Sequence, residues 1–178
     1  MRVTPTAIAD VLLLEPRIFG DARGFFLESY NEKVFADATG LQVQFVQDNH
    51  SRSQRHVLRG MHFQADKPQG KLVRVVAGAV FDVVVDIRPN SPSYGKWVGE
   101  ELSVDNQRQV WVPPGLAHGF LVLSESADFL YKTTEYYHPA SERCLAWNDP
   151  SVAIGWPLGD NRPLVSDKDT KGLSFNRL

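Results

Sequence analysis

The clearest pattern along the chain is a series of short apolar runs with turn residues between them. The first two, Leu72–Ala77 and Ala79–Ile87, are rich in valine and meet at Gly78, which suggests a tight reversal. Further runs of the same kind are Trp97–Val104, Arg108–Val112, Gly119–Ser124 and Phe129–Thr134. Many short strands at this spacing predict a mainly β fold, a sandwich or barrel, rather than a parallel α/β sheet.

Helical signal is weak outside one segment. Residues Asn31–Thr39, ended by Gly40, are predicted to form two turns with Val34, Phe35 and Ala38 on one face. The segment Trp156–Leu178 has too few apolar residues for a core element, so it is either a tail that wraps the protein or a tail that returns to a functional site. No repeat or linker-like stretch divides the chain, and we expect one domain over residues 1–178.

Composition and charge exclude several classes of function. The chain is 43% apolar and 22% charged, as in ordinary soluble globular proteins. Its net charge of -2 does not indicate binding to nucleic acid or to an anionic membrane. Residues 1–10 lack the pattern of a signal peptide, and the apolar stretch 72–87 is interrupted by Arg74 and Asp82, so we expect no membrane span. One cysteine, Cys144, excludes a disulfide framework and agrees with a cytoplasmic location.

Two histidines stand out because each follows a glycine in a distinctive motif. His62 lies in Arg59-Gly60-Met61-His62-Phe63-Gln64, and His118 ends Pro113-Pro114-Gly115-Leu116-Ala117-His118. Both are predicted at strand ends, where glycine lets the backbone turn close to whatever the side chain faces. A single histidine of this kind is more often structural than functional, but several polar neighbours favour function here.

The motif that ends at His118 resembles the second motif of the cupin superfamily, whose jelly roll agrees with the predicted strands. Metal-binding cupins carry His-x-His and a downstream glutamate in the first motif. Here Gln64 occupies the second histidine position and no glutamate occurs between Gln64 and Glu100, which leaves two candidate ligands, His62 and His118. Because a catalytic metal normally has about three protein ligands, we expect no metal. His62 is then available as a general base.

Two further residues could serve the same chemistry. Lys71 opens the strand after the turn, where its cation could stabilise an oxyanion. Tyr131 alternates with core positions in Phe129-Leu130-Tyr131-Lys132, so its hydroxyl could face the same cavity. The alternative for Tyr131 is an aromatic side chain that only fills the barrel.

Over almost its whole length the chain resembles the dTDP-4-dehydrorhamnose 3,5-epimerases. The resemblance rests on these motifs in matching order: Phe19-Gly20-Asp21-Ala22-Arg23-Gly24-Phe25-Phe26-Leu27-Glu28, Gln47-Asp48-Asn49-His50-Ser51, the His62 motif, Lys71-Leu72-Val73-Arg74-Val75, the His118 motif, Tyr131-Lys132-Thr133-Thr134, Trp147-Asn148-Asp149-Pro150, Trp156-Pro157 and Ser166-Asp167-Lys168-Asp169. Each motif is weak alone, but all of them in order are specific.

The resemblance implies a role for each catalytic position. The family's substrate carries a ketone at sugar C4, which acidifies the hydrogens at C3 and C5, so that epimerisation proceeds through an enolate. By resemblance, the base is His62 and the residue that orients it is Asp169. Tyr131 is the acid on the opposite face, and Lys71 stabilises the enolate oxygen. Asp169 is chosen over Asp167 by the family's Ser-x-Lys-Asp pattern, since spacing alone does not separate them.

The resemblance also implies a set of binding residues and a second copy of the chain. The residues expected to hold the nucleotide, its diphosphate and the sugar are Arg23, Phe26, Glu28, Gln47, Asn49, Arg59, His118, Tyr137, Glu142 and Lys168. Arginine suits a diphosphate because its planar fork bonds two oxygens at once, and Tyr137 matches a tyrosine that stacks on thymine. Family members pair as homodimers, with the N-terminal region of one subunit reaching the partner's site. No cofactor is expected.

Three other functions remain as alternatives. A single-centre epimerase of a related dTDP-4-keto-6-deoxy sugar pathway would use the same residues. A metal-dependent cupin oxygenase is disfavoured by the missing ligands, and a non-catalytic sugar-nucleotide binding module by the retention of all the proposed catalytic residues. The leading prediction is an isomerase that inverts C3 and C5 of dTDP-4-dehydro-6-deoxy-D-glucose in dTDP-L-rhamnose biosynthesis.

Overall fold

Antiparallel strands are the main regular elements of the structure, a computed structural model that describes all of residues 1–178. The strands and the single α-helix are β1 (Arg2–Pro5), β2 (Leu12–Glu15), β3 (Ile18–Asp21), β4 (Gly24–Leu27), α1 (Glu32–Thr39), β5 (Gln47–Gln54), β6 (Leu58–Gln64), β7 (Lys71–Ala77), β8 (Ala79–Asp86), β9 (Trp97–Ser103), β10 (Gln109–Val112), β11 (Leu116–Val122), β12 (Ser126–Thr133) and β13 (Glu142–Cys144). Short 3₁₀ helices lie at Pro139–Ser141, Asp169–Lys171 and Phe175–Arg177. None of the helices is long and apolar enough to span a membrane.

The strands form two packed sheets and one separate hairpin. The larger sheet has six strands in the order β1-β2-β10-β7-β12-β5, and the smaller has five in the order β13-β6-β11-β8-β9. Strands β3 and β4 pair only with each other. A core of 15 buried side chains, including Val73 of β7 and Val84 of β8, fills the space between the two sheets. The prediction of a mainly β sandwich is therefore confirmed.

The smaller sheet is covered on both faces, which explains the continuous apolar run in β8. Val80 and Val84 belong to the core between the sheets, whereas Val83 and Val85 pack in a second cluster with Val152 and other residues that follow β13. A strand buried on both faces loses the alternation of apolar and polar positions. The C-terminal segment thus forms an outer layer over the smaller sheet.

The strands predicted between residues 72 and 134 are all present, whereas β1 to β6 and β13 lie outside the predicted runs. Strand β6 runs two residues past His62 and β11 begins two residues before His118, so both histidines lie within these strands. Their prediction at strand ends was wrong. The two histidines are directly opposite each other in the β6–β11 ladder.

Two glycines allow the histidine strands to approach closely. A Cβ atom on Gly60 would lie 2.6 Å from Cα of Gly119, and one on Gly119 would lie 2.6 Å from the carbonyl oxygen of Arg59. The β6–β11 register shifts at this point, between His118 and Phe120. A side chain at either glycine would push the strands apart and separate the histidines.

Helix α1 has the ends that the sequence predicts. The Asn31 side chain accepts a hydrogen bond from the amide of Val34, and Gly40 ends the helix in the left-handed region with φ of 73°. Phe35 is buried and Val34 is half-buried, but Ala38 is exposed, so the predicted apolar face is only partly correct. Phe35 contacts Trp111 of the larger sheet edge-on, which fixes the helix against that sheet.

Candidate active site

A cavity of about 270 Å³ lies between the two sheets and receives side chains from both. Seven residues singled out in the sequence line it: Arg59, His62, Lys71, His118, Tyr131, Tyr137 and Glu142. Polar side chains thus converge on one space next to an apolar core, which is the usual form of a small-molecule site.

His62 and Asp169 form a hydrogen-bonded pair on the wall of this cavity. Nε2 of His62 lies 2.6 Å from Oδ1 of Asp169, although the residues are 107 positions apart in the chain. Asp169 begins the 3₁₀ helix Asp169–Lys171. The C-terminal segment, which also covers the smaller sheet, therefore returns to the site, so both interpretations of it apply.

The environment keeps the carboxylate of this pair ionised. Burial alone would raise the pKa of Asp169, but the hydrogen bond and charge of His62, together with Ser166 and the backbone amide of Gly60, hold it below the ordinary value. An ionised carboxylate orients an imidazole and stabilises the charge that the ring acquires when it takes a proton. Because Asp169 occupies Nε2, Nδ1 is the ring nitrogen left for a ligand, and the pair can act as a general base.

Lys71 supplies a buried positive charge to the same cavity. The residue is 8% exposed, and no carboxylate lies within ion-pair distance of its ammonium group. Burial lowers the pKa of Lys71 to about 8, although the charges of Asp82 and Glu142 oppose this. At neutral pH the ammonium group is mostly protonated and free to stabilise negative charge on a ligand oxygen.

Tyr131 faces the cavity from the opposite side to His62. It lies on β12 in the six-stranded sheet, whereas His62 lies on β6 in the five-stranded sheet. Burial and the charge of Glu142 raise the pKa of the Tyr131 hydroxyl, with Arg59 opposing them. The hydroxyl therefore stays protonated and can donate a proton. A base on one wall and an acid on the other are what inversion of a carbon centre requires.

His118 forms a second buried pair. Its Nε2 lies 2.8 Å from Oδ2 of Asp82, and its ring stacks near Phe129 at a centroid distance of 6.0 Å. Oδ1 of Asp82 is buried without a hydrogen-bond partner. Since Asp82 lies on the neighbouring strand β8, the ladder of the smaller sheet fixes His118 against it.

Three further predicted binding residues, Gln47, Asn49 and Lys168, do not line the cavity but are linked to Tyr137 and Glu142, which do. Glu142 accepts a hydrogen bond of 2.6 Å from the Tyr137 hydroxyl and pairs with the ammonium group of Lys168. Burial would raise the pKa of Glu142, but Lys168 and Tyr137 together lower it. Gln47 accepts the amide of Tyr137 at 3.1 Å and donates to Asn49 at 2.9 Å.

Three predicted binding residues lie outside the cavity of their own chain. Arg23 and Phe26 are on the exposed β3–β4 hairpin, where Phe26 is 65% exposed. Arg23 forms an ion pair with Asp21, and Glu28 accepts a hydrogen bond from Asn31. None of the three lines the cavity.

Comparison with known proteins assigns the family. The model of the dTDP-4-dehydrorhamnose 3,5-epimerase family matches residues 5–177. The chain belongs to this epimerase family. A dTDP-4-dehydrorhamnose 3,5-epimerase of Pseudomonas aeruginosa is 60% identical over 175 residues, which are 98% of this chain and 96% of the relative. A dTDP-4-dehydrorhamnose 3-epimerase of Streptomyces niveus is 42% identical over 174 residues, 97% of this chain and 83% of the relative.

The solved structures agree with the epimerase family and its cupin-type fold. The crystal structure of a dTDP-6-deoxy-D-glucose-3,5-epimerase from Legionella pneumophila, in complex with dTDP-4-keto-L-rhamnose, is 52% identical to this chain. The two superpose with a TM-score of 0.95 over 98% of this chain and 93% of that chain. The fold prediction of a cupin-type jelly roll and the prediction of an epimerase are thereby confirmed.

One cluster in this epimerase contains more potential metal-ligand atoms than the sequence indicated. Atoms of His62, Cys144 and Asp169 all lie within 4.8 Å of one another. The His62 and Asp169 atoms, however, are 2.6 Å apart, whereas ligands of a tetrahedral zinc at about 2.0–2.1 Å would be roughly 3.3 Å apart. Burial and the charge of Asp169 also raise the pKa of the Cys144 thiol to about 12. The cluster fits a proton-sharing pair better than a metal site.

The epimerase site also contains residues that sequence reasoning missed. Those given no role in the site include Asp82 behind His118, Cys144 beside Asp169, and the lining residues Ser51, Phe63, Gln64, Gln69, Phe120 and Phe129. Several follow from alternation once a strand is recognised, because Gln64 is two positions from His62 and Phe129 two from Tyr131. Asp82 carried a weaker signal, since it is the one acidic residue inside the valine run of β8.

Proposed function

We propose that the protein converts dTDP-4-dehydro-6-deoxy-D-glucose to dTDP-4-dehydro-L-rhamnose by epimerisation at C3 and C5. One observation carries the proposal: His62 with its Asp169 partner and Tyr131 face one cavity from opposite sheets, with the buried ammonium group of Lys71 between the same walls. The reaction would belong to dTDP-L-rhamnose biosynthesis.

Each step uses a group of this chain. Nδ1 of His62 removes the proton on a carbon next to the C4 ketone, and Asp169 stabilises the resulting imidazolium. The electron pair moves onto the C4 oxygen, where the ammonium group of Lys71 stabilises the enolate. The Tyr131 hydroxyl then protonates the same carbon from the opposite face, which inverts it. His62 returns its proton to solvent and Tyr131 regains one, so no other reactant is consumed.

The nucleotide would bind at the cavity mouth. There the Tyr137 ring would stack on thymine, and Arg59 would bond the diphosphate. Gln47, Asn49, His118, Glu142 and Lys168 complete the proposed contacts. We also propose a cytoplasmic location, which agrees with a nucleotide-sugar substrate and a free Cys144, and one domain over residues 1–178 with no cofactor.

A homodimer would complete the site. Arg23, Phe26 and Glu28 lie outside the cavity of their own chain, on or next to a hairpin that exposes Ile18, Phe19 and Phe25 to 46%, 49% and 60%. Apolar surface concentrated on a projecting hairpin is typical of an interface. We propose that the hairpin of one protomer reaches the cavity of its partner. Equilibrium sedimentation of the protein should give a dimer, and Phe26→Asp with Phe25→Asp should weaken it; a monomeric active protein would contradict this.

Isotope exchange tests the proposed reaction. In heavy water, the product of dTDP-4-dehydro-6-deoxy-D-glucose should carry deuterium at both C3 and C5, as read by NMR and mass spectrometry. His62→Asn should abolish incorporation because the base is lost, whereas substitution of His56, which is half-buried and does not line the cavity, should leave it unchanged. No incorporation at either carbon with the unaltered protein would refute the proposal.

A single-centre epimerase is the second candidate, favoured by the relative from Streptomyces niveus that is named as a 3-epimerase. The same catalytic residues would serve it. Deuterium at only one carbon in the experiment above would decide for this candidate.

A further inference from the structure

Gln64 is the last residue of β6, the strand that carries His62, and its buried side chain forms hydrogen bonds with neighbouring loops. Its Oε1 accepts the amide of His138 at 2.8 Å. Its Nε2 donates to the carbonyl of Lys67 at 2.8 Å and to the carbonyl of Tyr136 at 3.3 Å. The peptide groups on both sides of Tyr137 are therefore bonded to one side chain.

The hydrogen-bond partner of the Tyr137 ring lies on the strand that pairs with the Gln64 end of β6. Gln64 lies opposite Glu142 in the ladder between β6 and β13. Glu142 accepts the Tyr137 hydroxyl at 2.6 Å. Gln64 thus holds the main chain of Tyr137 through its side-chain amide, and the strand opposite it carries the carboxylate that holds the Tyr137 hydroxyl.

Tyr137 needs such support because little else surrounds its ring. The residue lines the cavity but is 52% exposed. Besides Gln64, its main chain is held by Gln47, which accepts its amide at 3.1 Å. An exposed ring with few packing contacts keeps its position only if its backbone is held, and a ring already in place spares a ligand the entropy cost of ordering it.

We propose that Gln64 is a positioning residue for the nucleotide, which holds Tyr137 at the cavity mouth in the conformation that stacks on the base. The inference rests on the proposed function, in which Tyr137 contacts thymine. Because Gln64 touches no reacting atom in this scheme, its loss weakens nucleotide binding and leaves the proton transfers largely intact. The binding-competent fraction of the Tyr137 segment then falls, and the apparent affinity falls with it.

Gln64→Met tests this, since methionine is similar in length but forms none of these hydrogen bonds. We expect the Kd for dTDP, measured by titration calorimetry, and the KM to rise about tenfold while kcat changes less than about twofold. Gln64→Glu is a second variant that keeps the acceptor for His138 but turns a carboxylate oxygen toward the carbonyls of Lys67 and Tyr136. It should weaken dTDP binding at least as much. The control is Gln54→Met, at an exposed position of β5 whose side chain makes no hydrogen bond.

A double substitution shows whether Gln64 acts through Tyr137. If it does, Tyr137→Ala with Gln64→Met should bind dTDP no more weakly than Tyr137→Ala alone. Additive losses would overturn the inference, as would a Gln64→Met variant that binds dTDP like the unaltered protein or loses kcat at unchanged Kd. If the unaltered protein does not bind dTDP, the proposed function fails instead.

Discussion

Replacing Lys71 by methionine should abolish most activity and stabilise the fold at neutral pH. Burial lowers the pKa of Lys71 from 10.5 to about 8, despite the opposing charges of Asp82 and Glu142. At about 1.4 kcal/mol for each pH unit between the two values, holding the ammonium group in the fold costs roughly 3 kcal/mol. Methionine fills a similar space without that cost. Removal of an oxyanion stabiliser should lower kcat by about 10²- to 10³-fold.

Because the pKa of Lys71 is lowered in the folded protein, the stability difference between Lys71→Met and the unaltered protein should depend on pH. Between pH 8 and 10.5 the unfolded chain holds a proton on Lys71 that the folded protein has released, so the free energy of unfolding rises with pH over this window. Lys71→Met lacks this contribution. Its stability advantage should therefore be greatest below pH 8 and shrink by roughly 3 kcal/mol as the pH approaches 10.5. In the unaltered protein, kcat/KM should fall as the pH rises through about 8.

Urea unfolding at a series of pH values, at one protein concentration, measures the difference directly. Lys33→Met is the matched control, because it removes a lysine whose side chain is 82% exposed, and its difference from the unaltered protein should stay nearly constant with pH. A Lys71→Met difference that is equally constant from pH 7 to 10.5 would refute the reasoning and show that the buried amine titrates normally.

Three further expectations concern other groups. Asp169→Asn should lower kcat/KM in steady-state assays about 10- to 150-fold, which corresponds to the free energy of a hydrogen bond to a charged group. A smaller loss would show that Asp169 does not assist His62 as the base. Tyr131→Phe should let deuterium from heavy water enter recovered substrate, by NMR, while product formation nearly stops, and unchanged product formation would exclude Tyr131 as the acid. Asp86 is fully buried and accepts hydrogen bonds from Arg88, Ser91 and Ser93. Asp86→Asn should therefore lose about 3 kcal/mol in urea unfolding with kcat/KM unchanged, and equal stability would count against that network.

The strands that are easy to predict are those that build the core. Runs such as Leu72–Ala77 show their valines because packing between the sheets selects them. Strand β5, with the sequence Gln-Asp-Asn-His-Ser-Arg-Ser-Gln, has no such signal. It is an edge strand whose alternate residues are exposed on one face of the sheet, while Ser51 on the other face lines the cavity. Function and exposure, rather than packing, determine its residues, and apolar periodicity therefore misses it.

The candidate active site likewise combines residues that the sequence predicts with features that it does not. The choice of His62 as base followed from its motif, but spacing could not pair it with a carboxylate 107 positions away; the family resemblance supplied Asp169. Nothing in the sequence indicated that Lys71 is buried without an ion pair or that Cys144 contacts Asp169. Such properties depend on how β6, β7 and β13 pack in the tertiary structure, which local sequence patterns do not predict.

The sequence separation between His62 and Asp169 also means that the two residues are synthesised at different times. Translation adds about 5–20 residues each second, so roughly 5 to 20 s pass between synthesis of the histidine and synthesis of the aspartate 107 positions later. During that interval a nascent chain can begin to assemble its sheets while its base lacks a partner. A protease that removed the segment after Val165 from the finished protein would return it to the same condition. In the proposed mechanism, turnover therefore requires a chain that has been made past Asp169 and is not cut before it.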